Sequence, residues 1–161
     1  MPLGPWLSWI ERSPLAVALR EHPWLYPGVE VCHILGFVVL VGAAAMFDLR
    51  LLGVSPGLSV QALADHLLPW ARAGLALAAP TGVLLFITDA MTIAYNPAFQ
   101  VKLSLIVLAI LNTVVFHRWT ARTLASWDIA RPTPLGAKLA AIMSLVLWTG
   151  AIVGGRLIAY V

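Results

Sequence analysis

The chain has 161 residues, of which 61% are hydrophobic and 11% are charged, and its formal net charge is +3. Charged residues make up about 25% of a soluble domain, so this composition excludes an ordinary soluble protein. The basic residues stand singly rather than as a stripe, which argues against nucleic acid as a partner. The single cysteine, Cys32, excludes an internal disulfide and CxxC-type sites.

The N-terminal segment predicts an interfacial helix. The first 25 residues contain four prolines and no apolar run, so we expect no cleaved signal peptide. Within residues 5–21, Trp6 and Trp9 lie opposite Glu11 and Arg12, which is typical of a short amphipathic helix at the membrane surface.

Four apolar segments follow, at about residues 29–52, 71–95, 97–122 and 135–159. Each is long enough to cross a bilayer, and none alternates in polarity as a barrel strand does. Backbone groups in lipid must be satisfied within the segment, which leaves helices. The sequence therefore predicts an all-α integral membrane four-helix bundle, forming a single transmembrane domain in the lipid bilayer.

Small residues predict where these helices approach each other. Gly74, Ala78 and Gly82 recur every fourth residue in the second span, and Gly150 and Gly154 do so in the last. Such ridges let neighbouring helices pack closely.

Lysine and arginine counts near the span ends predict the orientation. The side with the two longer loops carries more of them, so the positive-inside rule places both termini in the periplasm of a bacterial inner membrane. The loop side has Arg50, Arg72, Arg118, Arg122, Arg131 and Lys138, whereas the side of the termini has Arg12, Arg20, Lys102 and Arg156.

Two polar layers result from this topology. The outer layer contains Glu30, His33, Asp89, Lys102 and Arg156, drawn from all four spans. Its charges could form two ion pairs that hold the bundle together, but four charges and an imidazole in one membrane layer favour a functional role. The inner layer lies near headgroups, where we expect a structural role; it contains Asp48, Arg50, Arg72, His117 and Arg118, with His66 on a short helix after Ser59.

A histidine inside a span is a candidate haem ligand. His33 and His117 differ in depth by roughly 20 Å at 1.5 Å per residue, so one haem cannot use both. We predict haem b at His33, with the sixth position open or filled by Met91, His22 or Lys102. Arg156 and Lys102 would then pair with the propionates. The predicted cofactor-binding residues are His33, Glu30, Met91, Lys102 and Arg156.

Copper or another metal is an alternative on the same face, with His33, Glu30 and Asp89 as ligands. Cys32 points about 100° away from His33 on an ideal helix, which favours a packing role.

Several motifs resemble a bacterial family of small membrane proteins known as a domain of unknown function. These are VExxHxxG at 29–36, DLRLLG at 48–53, LPWARxG at 68–74, PTGVLLF at 80–86, NPAFQVK at 96–102 and GRLIAY at 155–160. His33 and Lys102 also resemble HemJ-type protoporphyrinogen oxidases, which are four-helix haem b proteins, and CopD-type copper proteins. Glu30 departs from the HemJ pattern.

These observations leave three functions open. The first is a haem b or redox protein that exchanges electrons with quinone or a periplasmic carrier. The second is a cofactor-free accessory subunit that stabilises a larger membrane complex, and the third is copper handling or transport. No Ser-His-Asp spacing, P-loop or HExxH motif is present, so the sequence leaves any catalytic residue unknown and does not decide whether the protein is an enzyme.

Overall fold

The computed structural model describes residues 4–120, 122, 127–129 and 132–161. All of the regular structure in these ranges is helical. The helices are α1 (Gly4–Glu11), α2 (Pro14–Glu21), α3 (Leu25–Leu51), α4 (Val60–Ile87), α5 (Ala90–Tyr95), α6 (Pro97–Val115) and α7 (Leu135–Leu157), and a π-helical turn, Phe116–Thr120, extends α6.

Four of these helices are long and apolar enough to span a membrane, namely α3, α4, α6 with part of its π-helical turn, and α7. Their outward faces carry large exposed apolar side chains such as Val38 and Val107. Such surfaces require lipid rather than water around them, so the protein is an integral, multi-pass membrane protein. Residue 121, within the predicted third span, lies outside the described residues.

The second spanning helix differs from the segment expected at 71–95. The short helix expected after Ser59 and the second span form one continuous helix, α4, which begins at Val60 and ends at Ile87. Ser59 caps its start by accepting a hydrogen bond from the N–H of Ala62. Asp89 leaves helical geometry and starts the separate short helix α5.

Glycines bring α3 and α4 into backbone contact. A Cβ added to Gly74 would lie 2.6 Å from the carbonyl oxygen of Gly36 and 2.6 Å from the amide nitrogen of Leu40. A Cβ on Gly36 would lie 2.8 Å from the amide nitrogen of Ala78. The expected small-residue ridge of α4 is thereby confirmed, because only glycine permits this approach.

The helices pack in the order α4, α3, α7, α6. Gly150 and Gly154 of α7 face Leu105 and Lys102 of α6, as the small-residue spacing predicts. Helices α4 and α6 meet through Phe86 and Phe99, whose rings stack with centroids 5.3 Å apart. We call the end with the α3–α4 and α6–α7 connections the loop end, and the opposite end, with α1, α2 and α5, the terminal end.

The segment expected as an interfacial helix forms α1 and α2. Arg20 donates to the carbonyl oxygens of Thr88 (2.8 Å) and Glu11 (2.9 Å), and Glu11 in turn accepts from the N–H of Met91 (3.1 Å). Leu19 of α2 is buried. The N-terminal helices are therefore tied to the α4–α5 break.

The loop end is held by Asp128. Its carboxylate accepts hydrogen bonds from the Ser59 hydroxyl (2.7 Å) and from the N–H groups of Val60 and Gln61 at the start of α4. Burial opposes ionisation of Asp128, but these hydrogen bonds and the nearby Arg50 guanidinium hold the pKa of the carboxyl below its usual value. The start of α4 thus gains an anionic cap from another connection.

Candidate functional site

A cavity of about 590 Å³ lies within the bundle at the loop end. This volume is in the range of small-molecule sites, about 300–1,000 Å³. Side chains of α3, α4, α6 and α7 form its walls, and most of them are apolar or aromatic. Its polar lining residues are Asp48, Arg72, Asn112, Thr113, His117, Arg118, Arg122 and Ser144.

Asp48 is the buried charged group of this cavity. Only 6% of the residue is exposed, and its Oδ2 atom has no hydrogen-bond partner. The hydroxyl of Ser144, on α7, is the side-chain hydrogen-bond partner of the carboxyl group. An unpartnered buried carboxyl oxygen is costly, so this position calls for a proton or for a donor supplied by a ligand.

His117 is placed by the π-helical turn at the end of α6. Its Nδ1 lies 2.8 Å from the carbonyl oxygen of Thr113, and a carbonyl can only accept, so Nδ1 carries the proton. The other ring nitrogen, Nε2, therefore keeps its lone pair when the ring is neutral. Single-turn π-helices occur frequently at functional sites.

Three arginines line the same cavity from its exposed side. Arg72, Arg118 and Arg122 are all exposed, and none makes a hydrogen bond or ion pair with another described residue. Arg50 behaves differently, because it is 5% exposed and donates to the carbonyl oxygens of Pro56, Leu58 and Asp128. Arg50 is a structural residue, as expected for the inner layer, whereas the other three are available to a ligand.

His33, the main residue predicted from the sequence, lies away from this cavity. Its Nδ1 lies 2.9 Å from the carbonyl oxygen of Ala78 and 3.2 Å from the Thr81 hydroxyl. A Cβ on Gly82 would lie 3.0 Å from the ring, so that glycine leaves room for the imidazole. Because Nδ1 donates to a carbonyl, the neutral ring presents Nε2 as an acceptor or ligand.

The other predicted site residues surround His33 only in part. Glu30 and Lys102 lie close enough to His33 to interact with it electrostatically. Glu30 and Asp89 interact with Tyr26 in the same way. Lys102 is half-buried beside Gly155, whereas Glu30 and Asp89 are exposed. The predicted outer layer is therefore a group of residues at the terminal end that interact through their charges.

The remaining two predicted residues have other contacts. Met91 is half-buried, and its N–H donates to Glu11. Arg156 is exposed, donates to the Tyr160 hydroxyl (2.8 Å) and lies over that ring. The sequence leaves open two pairings of the outer-layer charges, Glu30–Arg156 with Asp89–Lys102 or the swapped pairs, and neither forms among the described residues.

Comparison with known proteins places the chain in a family. The family model named "Family of unknown function (DUF6644)" matches residues 6–161. The chain belongs to DUF6644. No curated protein and no solved structure matches it. The match includes all four spanning helices of this DUF6644 protein, together with the cavity and His33.

A metal centre has little support in the geometry of the DUF6644 chain. The described residues contain no group of three or more His, Cys, Asp or Glu side chains that could hold a metal ion. Cys32 is exposed. The proposed ligands His33, Glu30 and Asp89 thus remain a prediction without a preformed cluster.

Four of the polar residues that line the cavity belong to the inner layer for which the sequence predicts a structural role. These are Asp48, Arg72, His117 and Arg118, and their depth in the spans is what predicts that layer. The sequence feature that could have indicated a binding site is an acidic residue at the same depth as cationic residues of other helices. The cavity between them depends on how the helices pack and was not foreseeable from hydropathy.

Proposed function

We propose that this membrane protein binds a small amphiphilic molecule in the cavity at the loop end. The observation that carries the proposal is Asp48, whose buried Oδ2 has no partner and whose side chain lines a cavity with mostly apolar walls. Buried polar groups in membranes are costly and mark functional sites. A ligand with an apolar body and a polar group satisfies both requirements of this cavity.

Different residues of the cavity would contact the apolar part and the polar part of the ligand. Phe47 and Trp148 are nearly fully buried and offer aromatic surface to the apolar part of the ligand. Asp48 and Ser144 offer hydrogen-bonding groups in the interior. His117 offers Nε2, which can accept a hydrogen bond from a ligand when the ring is neutral.

Replacing each of two neighbouring alanines of α3 by phenylalanine tests the proposal. Ala44 lines the cavity and its neighbour Ala45 does not, although both are half-buried. We expect Ala44→Phe to fill the space and to remove the small molecules that mass spectrometry detects after organic extraction of the purified protein. Ala45→Phe should retain them. Identical extracts from the wild type and Ala44→Phe would rule the proposal out.

A second candidate is haem b binding and electron transfer at the terminal end, and it is favoured by the orientation of His33. The hydrogen bond from Nδ1 to Ala78 is the kind of support that orients ligating imidazoles. His33 would be the axial ligand, and Lys102 and Arg156 would face the propionates. Haem supplies a one-electron redox centre, and quinone would be a suitable partner in the membrane.

An absorption spectrum of the membrane-extracted protein tests this second candidate. We expect a Soret band that His33→Ala abolishes and His117→Ala leaves unchanged. Protein without such a band, after expression with a haem precursor, would refute haem binding and would leave the cavity proposal untouched.

We also propose that both termini face the periplasm of a bacterial inner membrane, because the loop end carries more lysine and arginine than the terminal end. The loop end with the cavity would then be cytoplasmic. A reporter fused after Val161 should be active only if it is periplasmic, and a cytoplasmic signal would reverse the assignment.

A further inference from the structure

The cationic side chains around the cavity indicate what kind of head group the ligand carries. Arg72 belongs to α4, and Arg118 belongs to the π-helical turn after α6, so two different elements present a guanidinium to one space. Both are exposed and have no partner among the described residues. Arg122 lines the same cavity and is also exposed.

The arginines that line the cavity outnumber its acidic residues, so their positive charge is not neutralised. Asp48 is the sole acidic residue among the described lining residues, and its carboxyl lies in the buried part of the wall with Ser144. The three arginines are exposed. The lining therefore separates a cationic, accessible part from an apolar part with one buried carboxyl.

This separation matches an anion attached to an apolar body. Guanidinium groups bind carboxylate and phosphate through parallel hydrogen bonds, which a neutral head group does not exploit as well. The apolar walls, including Leu40, Leu75 and Trp148, offer no ion partner for a soluble anion such as inorganic phosphate. Both halves of the cavity are used only by an amphiphile.

We infer that the ligand is an anionic amphiphile. Its phosphate or carboxylate head lies between Arg72 and Arg118, and its apolar chain lies against Leu75 and Trp148. The inference rests on the proposed binding function and specifies the ligand class. A hydroxyl group on the ligand near Asp48 would satisfy the unpartnered Oδ2.

Matched probes separate the head group from the chain. Dodecyl phosphate carries both, dodecanol carries the chain alone, and inorganic phosphate carries the head alone. Binding to the full chain in a neutral maltoside detergent is measured by native mass spectrometry and by tryptophan fluorescence. Arg72→Gln and Arg118→Gln are the test variants, and Lys138→Gln is the control because Lys138 does not line the cavity.

We expect dodecyl phosphate to bind at least about tenfold more tightly than dodecanol, because a charge-assisted hydrogen bond contributes roughly this factor. Arg72→Gln and Arg118→Gln should each weaken dodecyl phosphate by about tenfold and leave dodecanol unchanged. Lys138→Gln should behave as the wild type. Circular dichroism confirms that each variant is folded.

Several other results would overturn the inference, and they can be distinguished from one another. Equal binding of dodecyl phosphate and dodecanol, unchanged in the arginine variants, would show a cavity that binds apolar chains without selecting an anion, so the broader binding function would stand. Competition by inorganic phosphate as strong as that by dodecyl phosphate would show a simple anion site. Failure of both chain-bearing probes, or binding unaffected by Ala44→Phe, would overturn the binding function as well.

Discussion

The carboxylate of Asp128 accepts a hydrogen bond of 2.7 Å from the hydroxyl of Ser59, 69 residues earlier in the chain. The same carboxylate caps two N–H groups at the start of α4. One side chain in the α6–α7 connection therefore fixes the start of the helix that follows the α3–α4 connection. This clamp holds the end of the bundle at which the cavity lies.

The clamp predicts acid sensitivity. The folded-state pKa of Asp128 is below the value of an unfolded chain, so its contribution to stability is fully present above about pH 4. This contribution is lost as the pH falls through the folded-state pKa. Asp128→Asn should lower the free energy of unfolding at neutral pH by about 1 kcal/mol, a modest value because solvent screens the site.

Thermal melts of the wild type and Asp128→Asn between neutral and acidic pH test this. The difference between the two proteins should shrink on acidification. A difference that does not change with pH would show that Asp128 acts through its shape rather than its charge. Asp65→Asn is a suitable control, because that exposed carboxylate accepts a hydrogen bond from Gln61 of its own helix and does not join two connections.

The α3–α4 contact predicts unequal effects of glycine substitution. Gly74→Ala would place a Cβ 2.6 Å from backbone atoms of α3, and backbone cannot move as readily as a side chain. We expect a destabilisation of about 1–3 kcal/mol, or separation of the helices. Gly42 of α3 has nothing within 4 Å of such a Cβ.

Gly42→Ala is therefore the matched control, and it should be neutral or stabilising by up to about 1 kcal/mol. Detergent denaturation followed by circular dichroism measures both variants. Equal stability of the two alanine variants would contradict the close backbone contact between α3 and α4.

Replacing Asp48 should stabilise the fold and abolish ligand binding. Asp48→Leu removes a buried carboxyl whose Oδ2 is unpartnered, and we expect it to raise the free energy of unfolding by about 1–3 kcal/mol. The same substitution should abolish retention of the proposed ligand. A destabilised Asp48→Leu protein would indicate that the carboxyl group is a structural element.

The attachment of α1 and α2 to the rest of the protein should depend on Arg20. Arg20 joins the carbonyl oxygens of Glu11 and Thr88, so Arg20→Ala should release α1 and α2 from the α4–α5 break. Amide hydrogen exchange of residues 4–21 should increase by about tenfold, the equivalent of one lost charge-assisted hydrogen bond, with little change in α6 and α7. Exposed Arg12 offers the control Arg12→Ala, for which we expect exchange as in the wild type.

The candidate sites differ in how much of them could be predicted. His33 was identifiable because an imidazole in an apolar span is rare. Its hydrogen-bond partner, the carbonyl of Ala78, could not be predicted, since every residue has a carbonyl and only helix packing selects one. Asp48 and Arg72 were identifiable as polar residues at one depth, but the cavity between them depends on how α3, α4, α6 and α7 diverge.

The sequence by itself determined the class of protein and the number of spanning helices, because hydropathy and helical length are properties of each segment alone. The glycines of α4 also predicted that a neighbouring helix packs closely against it, but that this neighbour is α3 was decided by the tertiary structure. Only the tertiary structure decided that His33 faces Ala78 and that Asp48 faces a cavity. Those outcomes depend on the rotation of each helix about its axis, which is set by packing against its neighbours.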